Sequence, residues 1–254
     1  MLREETVFGP IKSRRLGNSL GINLLPQKGK FCNFDCIYCE CGWNKDGLDD
    51  KVLPTAAEVR SKLEDKLTQL LLDGTPIDSI TFSGDGEPTL NPEFPRIIDD
   101  TLKLRDAFCP GAKVSVLSNA TRAHVPEIRA ALMKVDNPIM KIDAPTDELV
   151  GLINHPAPGY SLQRVIEALE KFEGNFILQT MFLRANGFDS SEPASLRKWM
   201  DIVRHLHPRE VMVYTIDRPT PEEGLLPFTQ AELTALVQPL VDEGFKIQVR
   251  GTKK

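Results

Sequence analysis

Seven short runs rich in apolar and β-branched residues recur along this chain, and stretches with helical periodicity separate most of them. The runs cover residues 19–25, 77–83, 112–118, 138–143, 175–183, 210–216 and 245–250. Most show little alternation of polar and apolar side chains, which is the pattern of strands covered on both faces of a parallel sheet. Helical patterns lie at 55–72, 92–108, 124–135, 161–172, 191–207 and 229–244. The first opens on Thr55, places Val59, Leu63, Leu67 and Leu70 on one stripe, and has Gly74 beyond its end. Ser161 and Thr229 read as N-caps, and Gly174 and Gly244 as stops. Strand–helix alternation with right-handed crossovers predicts an α/β fold with a parallel sheet. The alternatives are a partial (β/α)6 TIM-like barrel and a doubly wound sheet. The first strand is followed by no GxGxxG turn, which favours the partial barrel.

A length of 254 residues suits one α/β domain. The sequence is read as a single domain over 1–254, with an N-terminal segment 1–18, a six-strand core 19–217 and a C-terminal helix and strand 218–254. The proline-rich stretch 218–227 reads as a rim loop, because a helix and a strand still follow it. The formal net charge of -5 offers no global basic field for nucleic acid or an anionic membrane. A local basic cluster is present at Lys12, Arg14 and Arg15. No apolar run approaches the roughly 20 residues that span a bilayer, and MLREETVFGP lacks the apolar centre of a secretory signal. These features predict a cytoplasmic protein with no membrane partner.

Three of the five cysteines, Cys32, Cys36 and Cys39, are bunched in the run CNFDCIYC. Bunching, an odd total and no secretory signal point to a metal site in a reducing compartment, not to disulfides. Three thiolates are one short of the four that close an iron–sulfur cube. The count suggests a cube with one iron corner open to a reacting molecule. A structural zinc site would need a fourth ligand, and no second C-x-x-C or histidine pair supplies it. Cys41 and Cys109 read as bystander thiols, and His124, His155, His205 and His207 as ordinary histidines.

In strand–helix barrels, function gathers where strands end. Polar residues crowd those positions here: Gly84, Asp85, Gly86, Glu87 and Pro88, then Ser118 and Asn119, Lys141 and Asp143, Gln179, and Asp217 and Arg218. Glycines at 84 and 86 permit close backbone approach to a ligand, or form a plain turn. Ser118 and Asn119 fit a ligand contact or an Asx-type turn equally. Lys141 and Asp143 share one strand face. An inward charged pair is costly unless it is satisfied, so it is either a structural ion pair or a ligand site. Gln179 shares its face with Met181.

CNFDCIYC, with Tyr38 just before its third cysteine, resembles the cluster loop of the radical S-adenosylmethionine (SAM) superfamily. SRRLGNSLGI at 13–22 and FSGDGEPTLNP at 82–92 narrow the likeness to a branch of Fe–S oxidoreductases related to wyosine-synthesis tRNA enzymes. The resemblance implies a [4Fe–4S] cluster on Cys32, Cys36 and Cys39 with SAM chelated at its open iron. It implies cleavage of SAM to a 5′-deoxyadenosyl radical that abstracts hydrogen from an unidentified substrate. The family's GGEP element falls on Asp85, Gly86, Glu87 and Pro88, with Asp85 where the family has glycine. Further implied SAM contacts are Ser118 and Asn119, Lys141 and Asp143, Gln179 near the ribose, and Tyr38, Tyr214 and Ile216 near the adenine. The resemblance also implies an external reductant of the flavodoxin or ferredoxin type. Its substrate is a small molecule, a peptide or RNA, with RNA the least suited to the acidic balance. A glycyl-radical activase lies within the same chemistry. A non-catalytic electron-transfer or redox-sensing Fe–S protein would instead need a closed, four-ligand cluster.

Overall fold

A computed structural model describes residues 2, 5–13, 16–47 and 50–252. Arg14 and Arg15 lie outside the described residues. The chain divides into two compact units. The first comprises Met1–Asn33, Asn44–Ser118 and Val125–Pro138, and the second Phe34–Trp43, Asn119–His124 and Ile139–Lys254.

The first unit opens with strand β1 (Val7–Ser13), antiparallel to β2 (Gly17–Ile22) and carrying a bulge between Phe8 and Ile11. The sequence reading left this segment without a strand, because Gly9, Pro10 and Lys12 are poor strand residues. β1 is an edge strand, where proline is tolerated because one side of the backbone needs no ladder partner. Helix α1 (Ala56–Leu72) leads to β3 (Ser79–Phe82), α2 (Phe94–Phe108) to β4 (Lys113–Ser118), and α3 (Pro126–Lys134) follows. β2, β3 and β4 are parallel neighbours in that order. The cap read from Thr55 is a full capping box, its side chain accepting from the Glu58 amide while Glu58 reaches back to the Thr55 amide. Val59, Leu63, Leu67 and Leu70 are all buried, as their spacing predicts. Phe82 of β3 meets Phe94 of α2 edge to face, with ring centroids 6.3 Å apart.

The second unit is built on β5 (Asn137–Lys141), which belongs to it from Ile139 onward. Helices α4 (Asp147–Asn154) and α5 (Leu162–Glu170) lead to β6 (Ile177–Met181). A two-residue hairpin, β7 (Arg184–Ala185) and β8 (Phe188–Asp189), precedes α6 (Pro193–Leu206), β9 (Glu210–Tyr214), α7 (Gln230–Asp242) and β10 (Ile247–Arg250). β5, β6, β9 and β10 are parallel neighbours in that order. Trp199 shows how this core tolerates a polar atom. Its ring lies edge-on to Phe182 at 5.1 Å, and its Nε1 donates to Thr180 Oγ1 at 3.1 Å. That hydroxyl donates onward to the Ile142 carbonyl at 2.7 Å, so no donor in the chain of bonds is stranded.

Helix α4 had no counterpart in the sequence reading. Gly151 interrupts its pattern and Pro156 follows closely, which obscures so short a helix. Thr146 caps it by accepting from the Leu149 amide, and it ends on His155 in the left-handed conformation. No helix among the described residues is long and apolar enough to cross a membrane.

Asp136 gathers the end of the first unit. Its carboxylate accepts from Arg105 Nη1 at 2.7 Å, Lys113 Nζ at 3.1 Å and the Val114 amide at 2.9 Å. Partial burial pushes its pKa up, but these donors outweigh burial and hold it below the ordinary aspartate value. A carboxyl depressed in the folded state contributes stability above its unfolded pKa and loses it as pH falls through the folded value. We therefore expect Asp136→Asn to cost about 1–2 kcal/mol at neutral pH, allowing for solvent screening at its open edge. Chemical denaturation at stepped pH should show the gap between wild type and variant closing below about pH 4.

Candidate active site

The part of the cysteine run that falls in the second unit is docked on the end of α4. A helix leaves its last carbonyls without internal partners. Here the Asp35 amide donates to the Asn154 carbonyl at 2.8 Å and the Ile37 amide to the Ile153 carbonyl at 3.0 Å. Phe34 bridges to Pro156 and meets the Tyr160 ring edge-on at 5.4 Å. Trp43 stacks on His155, with planes 10° apart. Cys36 and Cys39 are joined by a tight turn, the Cys39 amide donating to the Cys36 carbonyl at 3.1 Å. The proline-rich loop also holds this segment. The Glu222 amide donates to the Ile37 carbonyl at 3.2 Å, and Arg218 pairs with Glu40 at 2.5 Å.

Tyr38, Lys141, Asp143 and Tyr214, four of the sequence-predicted residues, converge in this unit. Lys141 ends β5, and Asp143 follows on the same side. The Asp143 side chain has no exposed surface, yet it is well supplied with donors. It accepts from the Met181 amide at 2.8 Å, from Asn154 Nδ2 at 2.8 Å and from the Tyr38 hydroxyl, with Lys141 Nζ 3.7 Å away. Lys141 donates to the Tyr214 hydroxyl oxygen at 2.5 Å and lies near the faces of the Tyr38 and Tyr214 rings. Burial works against its charge, but Asp143 and Tyr214 outweigh burial and hold its pKa above the usual lysine value. Lys141 is thus a fixed cation and not a nucleophilic amine. Burial first and Asp143 second push the Tyr38 hydroxyl well above the ordinary tyrosine range.

The other predicted residues of this unit are placed separately. Asn119 Oδ1 accepts from the Thr121 amide at 3.1 Å and hydroxyl at 2.7 Å, so the Asx-type turn is present. Gln179 is buried within β6, its carbonyl accepting from the Ile142 amide. Ile216 lies two residues beyond β9 and is half-buried.

In the first unit, the strand-end glycine run grips the residue before Cys32. The Phe31 amide donates to the Asp85 carbonyl at 2.8 Å, and the Glu87 amide to the Phe31 carbonyl at 3.2 Å. Gly86 sits between at φ +146, and a Cβ there would lie 1.9 Å from the Phe31 carbonyl oxygen. Only glycine admits that approach. The Cys32 carbonyl is held by Asn44 Nδ2 at 3.0 Å. Asp85 is fully buried, its carboxylate accepting from Asn23 Nδ2 at 3.0 Å. Glu87 Oε1 accepts from the Thr89 amide at 3.1 Å, the Thr89 hydroxyl at 2.6 Å and the Ser118 hydroxyl at 2.9 Å. Pro88 starts the short 3-10 turn that follows. Asp85, Glu87 and Ser118 therefore shape the strand-end loop through their side chains.

Asn23 and Asn154 were not anticipated. Nothing in spacing marks a single asparagine, and Asn154 lies in a segment to which the sequence reading assigns no element. Its side chain donates to Cys36 Sγ at 3.2 Å as well as to Asp143.

The donor set fits an iron–sulfur cube. Burial first, then Asp143, push the Cys36 thiol up to about 11, a cost that the positive charge of bound iron offsets. An N–H donor aimed at the same sulfur supports a ligating thiolate. Among the described residues, no three His, Cys, Asp or Glu side chains converge as a lone metal ion requires. A cube makes no such demand, since each thiolate ligates a different iron corner.

Residues 27–188 match the family model of the Radical SAM superfamily. The chain belongs to the radical SAM superfamily. Members use a [4Fe–4S] cluster and SAM. The chain is similar to "UPF0026 protein MJ1312" of Methanocaldococcus jannaschii, 28% identical over 226 residues. That alignment takes in 87% of this chain and 66% of the relative, so the chain spans just under two-thirds of its length. Among solved structures it is similar to a radical SAM methyltransferase from Sphaerobacter thermophilus, with TM-score 0.70 and 17% identity, covering 93% of this chain and 67% of that one. It is also similar to TYW1 with a lysine–pyruvate adduct bound, with TM-score 0.61 and 15% identity, covering 89% and 74%. At these identities the structures show the fold: mixed α/β, of the partial TIM-like barrel class.

The contact at Gly86 yields a direct test. Gly86→Ala should force Phe31 and the start of the cysteine run to shift, costing about 2 kcal/mol or more. Thermal unfolding of the metal-free chain should report this loss, and anaerobic reconstitution should retain less iron than wild type.

Proposed function

We propose that this chain is a radical SAM enzyme in which Cys32, Cys36 and Cys39 hold a [4Fe–4S] cluster and the polar strand ends hold SAM. Once bound and reduced, the cluster and SAM supply a 5′-deoxyadenosyl radical that takes hydrogen from an organic substrate. The reading is supported above all by the buried set around Lys141. It fixes an ammonium between two tyrosine rings, in the same unit as Cys36 and Cys39, with its orientation enforced by Tyr214 and Asp143.

Each part of the chain has a distinct task in this reading. Lys141 presents a positive charge to the SAM carboxylate. Tyr38 and Tyr214 provide flat apolar faces, and Tyr214 with Ile216 packs against the adenine. Gln179 and Asn119 offer amide groups to the ribose. The backbone from Asp85 to Pro88 receives the SAM amino group, while the buried side chains of Asp85, Glu87 and Ser118 keep that backbone in shape. Radical SAM enzymes need a one-electron reductant, and we assign that part to a flavodoxin or ferredoxin.

Anaerobic reconstitution followed by SAM and dithionite tests the reading. The wild type should take up about four irons per chain and release 5′-deoxyadenosine. Cys32→Ala, Cys36→Ala and Cys39→Ala should each abolish release, whereas Cys41→Ala and Cys109→Ala should retain it. Full release from any of the first three would refute the ligand assignment. Lys141→Gln should weaken SAM binding about tenfold, the equivalent of about 1.4 kcal/mol, in a titration against the reconstituted protein.

A further inference from the structure

Asn154 ends α4 with 1% of its surface exposed. Its side-chain nitrogen faces three acceptors: Cys36 Sγ at 3.2 Å, the Tyr38 hydroxyl oxygen at 2.9 Å and Asp143 Oδ2 at 2.8 Å. Chemistry decides which end of the amide belongs there. Both Asp143 oxygens accept, Oδ1 from the Met181 amide and Oδ2 from the Tyr38 hydroxyl, so a donor, Asn154 Nδ2 and not Asn154 Oδ1, belongs opposite them. The Tyr38 hydroxyl commits its own hydrogen to Asp143, so its oxygen is also an acceptor toward Asn154. Asp143 is held in turn by the Met181 amide at the end of β6. The amide direction is therefore dictated by a buried partner, and its two hydrogens are shared among three acceptors, the Cys36 sulfur among them.

We propose that Asn154 is a positioning residue for the iron–sulfur centre, its N–H···S bond to Cys36 setting that centre's reduction potential. The inference rests on the assignment of the cluster to Cys32, Cys36 and Cys39. On that assignment the Cys36 sulfur stands in for a cluster-bound thiolate. Reduction adds negative charge that spreads onto the ligating sulfurs, and an N–H dipole stabilises the more negative form more strongly. Asn154 thus makes the cluster easier to reduce. Burial strengthens the effect, because little water competes for the sulfur.

The same helix end separates this electronic role from a structural one. The docking bonds from Asp35 and Ile37 go to main-chain carbonyls of α4, so they do not need the Asn154 side chain. Replacing that side chain can leave the loop anchored while removing the donor.

Redox titration followed by EPR, without SAM, on reconstituted wild type and N154L provides the test. Leucine keeps the branching of the side chain at Cγ and lacks the donor. We expect N154L to retain iron and the slow hydrogen exchange of the Asp35 and Ile37 amides. Its ratio of reduced to oxidised cluster at a given potential should fall about tenfold, a midpoint about 59 mV more negative for one electron. An unchanged midpoint with full iron and protected amides overturns the inference and leaves the cysteine assignment standing. A wild type that takes up no iron overturns the cysteine assignment itself. If N154L does not fold, pulsed EPR of reduced wild type and N154Q, both labelled with ¹⁵N-asparagine, decides. A weak nitrogen coupling present in wild type and lost in N154Q supports the inference, and identical spectra overturn it.

Discussion

The second unit is organised around one buried charge. Taking the Asp143 carboxylate out of water costs on the order of several kcal/mol, and attraction to a cation repays that only when the remaining lone pairs are also filled. Here they are filled by a main-chain amide, a tyrosine, an asparagine and a nearby ammonium. Each donor comes from a different stretch of chain: the end of β6, the cysteine run, the end of α4 and the end of β5. A single carboxylate therefore fixes how four segments of one unit meet, two of which carry Cys36 and Lys141 of the proposed site. Removing one donor leaves the buried charge short of a partner and costs stability, while the main-chain bonds from Asp35 and Ile37 to the end of α4 do not depend on it.

The first unit solves a different problem with backbone. The strand-end glycine run grips Phe31 through two main-chain bonds, and the close approach at Gly86 leaves no room for a side chain. Asp85, Glu87 and Ser118 are consumed in shaping that turn. The run thus places the main chain just ahead of Cys32, much as α4 places the main chain around Cys36. In both units the cysteine run is held by main-chain hydrogen bonds, which depend on backbone geometry rather than on the identity of a side chain.

Much of this was legible in the sequence because burial writes itself as periodicity. The apolar runs became the parallel strands, and the stripe from Val59 to Leu70 became the buried face of α1. Several strand ends were read one to three residues too long, as at 175–183 against Ile177–Met181, because apolar residues continue past the last ladder bond. β1 escaped notice because an edge strand can carry glycine, proline and lysine. Helix α4 escaped because Gly151 and Pro156 obscure a helix of eight residues. Among site residues, Lys141 and Asp143 were found by the period of a strand. Asn154 was not, since its importance comes from three partners far away in sequence or in a loop, and no local pattern encodes them.

The central claim is that the cysteine run presents an iron–sulfur cube with one corner open to SAM. EPR of the reduced, reconstituted protein before and after addition of SAM tests this most directly. Binding at an open iron should change the g-values of the cluster signal. A signal that stays identical at saturating SAM, from a fully loaded cluster, would mean that a protein side chain already caps the fourth iron and would contradict the account.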